Sequence, residues 1–270
     1  MPFGVCKMCL QEKNLVSSHL VPRKIYEYCN KEGHNPIVLT DDVLMASDRQ
    51  WQYPLLCTDC ENVLNDGGED WCVTKLATFE KTFPLYDLVS TKPPVFSVDK
   101  TNIFLVRDIP SVKVKELVHF GMGMFFKAAV HGWKKGATEP RINLEPYTES
   151  LRLWLRGEGK FPSDMYLTAN ITSPDQAQIS LFPPYEANSR VFYVYVPGLL
   201  FMLDVGPDVK EAKKPLCLWN NPDRPILSSG VLLEKFTTHA NEKILSAKQT
   251  HSFLNAMEKI AKEKGEKFKN

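Results

Sequence analysis

The chain has 270 residues, of which 43% are hydrophobic and 24% charged, and 33 Lys+Arg against 32 Asp+Glu leave a formal net charge of +1. This is an ordinary globular balance that argues against a disordered chain and fits one large domain or a small module joined to a larger one. A charge so near zero supplies no global field for nucleic acid, so any such binding must use a local basic patch.

In chain order, Cys6-Lys7-Met8-Cys9 comes first, a pair of thiols with two residues between them. Leu15 to Val21 predicts a short strand, Pro22 a helix opener, and Arg23 to Tyr28 a short helix. Gly33-His34-Asn35-Pro36 breaks the chain, and Ile37-Val38-Leu39 with Val43-Leu44-Met45 predicts a strand pair. Trp51 to Leu56 leads into Cys57-Thr58-Asp59-Cys60, after which the pattern turns helical, is interrupted at Gly67-Gly68, and resumes through Trp71, Leu76 and Phe79. Pro84 and Pro93-Pro94 punctuate the passage into the rest, with a soft boundary near residue 80.

Beyond it, Val95 to Val106 reads as a strand pair, and Val112 to Trp133 as a long helix, apolar on most faces and therefore buried. Glu149 to Arg156 reads as a short amphipathic helix. Met165 to Thr172, Gln178 to Phe182 and Val191 to Val205 follow as β-rich stretches, the last an antiparallel hairpin around Pro197-Gly198. Glu234 to Lys264 reads as one C-terminal helix with Ile244, Leu254, Met257 and Ala261 on a stripe. The expected fold class is α+β: residues 1–80 a zinc-stapled module of treble-clef/ββα-metal type, residues 81–270 a larger α+β domain with an antiparallel sheet and a buried helix.

Two Cys-x-x-Cys pairs, Cys6/Cys9 and Cys57/Cys60, are the strongest chemical signal. The first reads as a knuckle and the second sits where an apolar run enters a helix, a spacing that presents four thiolates to one tetrahedral structural Zn²⁺. One pair alone would equally suit a redox couple; two pairs flanking a short segment disfavour that. The 7 cysteines are an odd number, which fits a reducing compartment better than a disulfide framework, and leaves Cys29, Cys72 and Cys217 as small buried or half-buried side chains. Met1 to Cys6 lacks the regions of a signal peptide, and the apolar helix around Leu117 to Val130 is too short to span a bilayer and carries Lys127. The expectation is a soluble cytoplasmic protein without a membrane partner.

Between the thiol pairs lies Ser18-His19-Leu20-Val21-Pro22. With Cys6-Lys7-Met8-Cys9 before it and Leu56-Cys57-Thr58-Asp59-Cys60-Glu61 after it, the chain resembles the four-cysteine members of the HNH endonuclease family, whose pattern runs Cys-x-x-Cys, Asp-His-x-x-Pro, then Asn-x-x-x-Leu-Cys-x-x-Cys-His. The resemblance covers residues 1 to about 75. It implies a histidine on a strand serving as general base against a phosphodiester, with a divalent ion such as Mg²⁺ stabilising the developing charge. Carried across, His19 matches the base, Ser18 falls where the family often has Asp, Gln52 where it has Asn, and Glu61 where it has the final His. A serine hydroxyl is a poor ligand for a hard dication and the Glu61 carboxylate a good one, so the site is thin unless Asp59, Glu69 or Asp70 assist.

The resemblance further implies nucleic acid, DNA in particular, as partner, and a place in restriction or anti-phage defence. The alternative is a catalytically inactive zinc module that binds nucleic acid or a protein; a protein partner or self-association is open in either case. Competing structural roles stand beside each residue. Glu61 can be a helix-start acid favoured by the macrodipole, Asp59 a cap, and Gln52 an ordinary strand residue. Arg23, Lys24 and Lys31 are either phosphate contacts or exposed cations. Trp51, Tyr53 and Trp71 read as module core, His119 and His131 as structural, and Gly121 and Gly123 as sites of close helix packing.

Overall fold

The computed structural model describes residues 1–29, 37–39, 43–46, 50–78, 80–133, 142–174, 180–188 and 190–263. The break at residues 33–36, Lys31, Phe79 and the start of the stretch expected from Gln178 lie outside them.

The N-terminal part is built on a hairpin. β1 (Phe3–Val5) runs antiparallel to β2 (Glu12–His19), with the first thiol pair in the turn between them. The turn closes with the Cys6 amide on the Gln11 carbonyl at 2.9 Å, the Leu10 amide on the Cys6 carbonyl at 2.9 Å, and Leu10 itself at φ 61°. After α1 (Arg23–Cys29) and the pair β3 (Ile37–Leu39) and β4 (Val43–Ala46), β5 (Gln52–Cys57) adds to the other edge of β2. Pro54 of β5 faces Ser17 where the ladder shifts register, because proline offers no amide to the ladder. β5 then passes straight into α2 (Thr58–Leu64).

The expected interruption at Gly67-Gly68 is a π-helical turn, Asn65–Glu69, leading into α3 (Asp70–Val73), so helical winding is continuous from Thr58 to Val73. The two glycines are there for contact rather than for a break. A Cβ on Gly68 would lie 2.1 Å from the Glu116 carbonyl oxygen, and one on Gly67 2.2 Å from the His119 ring. Only bare backbone lets this turn lie against the long helix behind it.

The remainder holds α4 (Pro84–Val89), β6 (Phe96–Val98), β7 (Thr101–Leu105), α5 (Val114–Val130), α6 (Thr148–Leu155), β8 (Met165–Ile171), β9 (Phe182–Asn188), β10 (Val191–Val196), β11 (Leu199–Val205), β12 (Pro225–Ser229), α7 (Gly230–Ser246), β13 (Lys248–Gln249) and α8 (His251–Glu263). Seven strands make one sheet in the order β6-β7-β12-β8-β11-β10-β9, antiparallel except where β12 meets β8. At that parallel join the Asn170 side-chain oxygen accepts the Ser229 amide at 2.7 Å. The hairpin turn carries Pro197 and then Gly198 at φ +81°, a left-handed geometry that glycine adopts without strain.

Every residue of β11 is buried because both faces of the sheet are covered. Phe201 meets Phe120 of α5 at 6.0 Å, while Tyr195 of β10 stacks on Phe236 of α7 at 5.6 Å and packs with Leu200 on that same side. α5 is thus covered on two sides, its Gly121 admitting Phe201 of the sheet and its Gly123 admitting Leu64 of α2. One cluster of buried apolar side chains runs from Cys6 through Leu64 and Phe126 to Ile226.

Three expectations need correction. The strand predicted to end at Phe182 begins there, and it carries Pro183 and Pro184 as an edge strand can. The single C-terminal helix is two, parted by β13, which pairs with β4, and restarted by the Thr250 hydroxyl accepting the Phe253 amide at 3.3 Å. The sheet is mixed rather than purely antiparallel. No helix among the described residues is long and apolar enough to cross a membrane.

Candidate metal centre and the histidine beside it

The hairpin turn and the entrance to α2 bring Cys6, Cys9, Cys57 and Cys60 together, with all four sulfurs within 4.8 Å of one another. The Cys9 and Cys57 sulfurs are 3.9 Å apart. Four sulfurs about 2.3 Å from a tetrahedral zinc would be about 3.8 Å apart, so the cluster can hold a metal ion such as zinc. Among the described residues it is the one such gathering of three or more Cys, His, Asp or Glu donors.

Its surroundings treat the thiols unequally, and burial pushes Cys57 up. The Cys57 amide donates to the Cys6 sulfur at 3.3 Å, and the Cys6 thiol is lowered to about 4, first by a hydrogen bond with Cys60 and then by backbone amides. Cys60 is driven up in return, since neighbouring thiols without a cation cannot all ionise. Arg152 of α6 donates to the Met8 carbonyl within the knuckle at 2.6 Å, and Arg156 feels the charges of Cys60 and Cys9. Both guanidiniums come from the distant half of the chain and are themselves paired, Arg152 with Glu149 and Arg156 with Glu158, each at 2.7 Å. Cys57 caps α2 with no side-chain hydrogen bond, and Asp59, expected as a possible cap, instead pairs with Lys13 at 2.9 Å.

The proposed catalytic residues separate. His19 ends β2 half-buried, next to Tyr26, with ring centroids 6.2 Å apart. Burial lowers its imidazole below 6.5 and the Lys127 ammonium lowers it further, while a hydrogen bond with Gln50 and the charge of Glu61 pull the other way. Ser18 points to the opposite face of the strand, fully buried, where its hydroxyl accepts the Leu56 amide at 3.2 Å. It is a structural residue with no reach toward an ion beside His19. Gln52 pairs with His19 through the backbone, but its side chain is exposed and accepts from the Ser17 hydroxyl at 3.2 Å. The amide at the imidazole is that of Gln50.

Glu61 does turn toward the histidine's side, and its Oε1 is buried without a hydrogen-bond partner. Burial pushes the Glu69 carboxyl above its ordinary range, Lys127 opposes this, and Glu61 and Asp70 add to it. A turn closed by i→i+5 bonds takes up an extra residue, so the π turn carries Glu69 toward the face of Glu61 two turns earlier. Against these acids stands Lys127 of α5, 2% exposed, donating to the His19 carbonyl oxygen at 2.6 Å. A cavity of about 10 Å³, room for about one water, lies among Glu69, Lys127 and His119.

His119 and His131 are structural. The His119 Nε2 meets the Leu155 carbonyl at 2.9 Å, and His131 stacks on Tyr53 at 4.0 Å. Trp51 is core, whereas Tyr53 is 49% exposed. Arg23 and Lys24 pair with Glu27 at 3.1 and 3.5 Å on the surface, contacts worth a few tenths of a kcal/mol. No family model, no curated protein and no solved structure matches this chain.

Proposed function

We propose that the chain binds one structural Zn²⁺ through Cys6, Cys9, Cys57 and Cys60 in a treble-clef arrangement, and that it cleaves phosphodiester bonds of nucleic acid with His19 as general base. The observation that carries the reading is the state of His19. A half-buried imidazole on a strand end between the two thiol pairs, whose burial and Lys127 favour the neutral ring and which has Glu61 nearby, is suited to accept a proton. Zinc would fix the strand and the helix relative to one another and take no part in the reaction.

The donor set expected for a catalytic dication fits only in part. Glu61 offers a buried oxygen with no partner, but Ser18 and Gln52 are engaged elsewhere, so no step is derived through a second ion. The inactive, binding-only reading has one observation in its favour: the residue in the acid's place is a core serine.

The test is cleavage of plasmid and single-stranded DNA and RNA with Mg²⁺, Mn²⁺ or Ni²⁺, wild type against His19→Ala. The expected loss is about 10²- to 10⁴-fold, the usual contribution of a positioned base. The wild-type rate should rise with pH through a midpoint below 6.5 and then level, because the neutral imidazole is the active form. Cleavage that survives the substitution removes His19 from the mechanism, and salt-sensitive binding with no turnover under any metal selects the second reading.

A further inference from the structure

We propose that Lys127 is the built-in counter-cation of this site and the positioning residue for His19, so that the architecture around the imidazole does not depend on a bound dication. The inference rests on the reading of His19 as the functional group and adds to it the role of a helix outside the zinc module.

Lysine is almost never fully buried without a partner, because removing an ammonium from water is costly. Lys127 is buried between Phe126 and Ala128, and the group that accepts its hydrogen bond is the His19 main-chain oxygen, 108 residues away in sequence. That bond pins the end of β2 to α5 at the residue whose ring does the chemistry. It is charge-assisted, the stronger class of hydrogen bond. The same ammonium offsets the charge of the Glu69 carboxylate, which the π turn brings in and which no cation from the module itself approaches among the described residues.

A resident positive charge beside Glu69 also opposes a second cation there, since like charges repel strongly where water is sparse. This agrees with the donor set, in which Ser18 turns away and Gln52 is held by Ser17.

The groups facing the imidazole are Lys127 from α5, Glu61 from α2, Arg23 and Tyr26 from α1, and Gln50 from the segment before β5. Of these, Lys127 and Arg23 favour the neutral ring and Glu61 the charged one. The experiment follows the His19 ring proton and carbon resonances against pH in the zinc-loaded full chain, for wild type, Lys127→Met and Lys127→Arg, each with and without millimolar MgCl₂. Lys127→Met keeps the apolar stem, so a packing role alone would leave the midpoint in place.

The expected result is a raised midpoint in Lys127→Met, retention of the wild-type midpoint in Lys127→Arg, and no Mg²⁺ response in wild type. A folded Lys127→Met with the wild-type midpoint would overturn the proposal. So would a saturable Mg²⁺ shift of His19 in wild type, an arm that decides even where Lys127→Met does not fold. A chain with these midpoints and no cleavage activity would sink the nuclease reading alone.

Discussion

Purified chain is expected to carry one zinc per molecule, and Cys60→Ser is expected to lose both the metal and the fold of its N-terminal part. Structural zinc sites supply about 10–16 kcal/mol in small metal-dependent modules, as much as the whole stability of a typical domain at about 5–15 kcal/mol. The sulfur cluster joins the β1–β2 turn to the first turn of α2, next to the hydrogen bonds of the Lys7 amide to Leu55, the Cys57 amide to Cys6 and Arg152 to Met8, and to the Lys13–Asp59 pair. Without the ion, up to four thiols must stay protonated or repel in one small space. Metal analysis and a melting curve read the result. Fully folded protein that holds no zinc and melts as the wild type does would refute the centre.

Gly68→Ala is expected to be the most damaging glycine-to-alanine change among the described residues. The added carbon would sit 2.1 Å from the Glu116 carbonyl oxygen and 2.9 Å from the Phe120 nitrogen, both main-chain atoms that cannot swing aside. Alanine gains about 1 kcal/mol over glycine in a helix, but overpacking against backbone costs about 3 kcal/mol or more, so the clash decides the sign. The control is Gly157→Ala, at φ +74° with nothing within 4 Å, where only the backbone penalty of about 1–2 kcal/mol applies. A drop in Tm several degrees larger for Gly68→Ala checks the idea. Equal melting of the two variants would mean that the turn and α5 can part without loss.

Much of this molecule was readable before any coordinates. The Cys-x-x-Cys pairs, the strand into α2, the buried α5 and the β10–β11 hairpin are local patterns, written within a few residues of one another. What escaped depends on distant partners. Gly67-Gly68 reads as a break because glycine disfavours helix; α5, lying against it, makes bare backbone the requirement. Gln52 and Gln50 differ only in which way a strand end turns, and that decides which amide meets the imidazole. Ser18 and His19 are neighbours on opposite faces, so a motif match cannot tell which of the two reaches a ligand. Lys127 did leave a trace, as a lone cation near the end of an otherwise apolar run, yet its partner lies more than a hundred residues upstream.

The bond from α5 ends on the carbonyl of residue 19 and not on its ring. Replacing the imidazole therefore leaves the strap intact, and trimming the strap leaves the imidazole chemically whole. The first substitution removes proton acceptance outright, while the second alters both the aim of the ring and its midpoint. A double substitution would show how strongly proton acceptance and aim depend on each other.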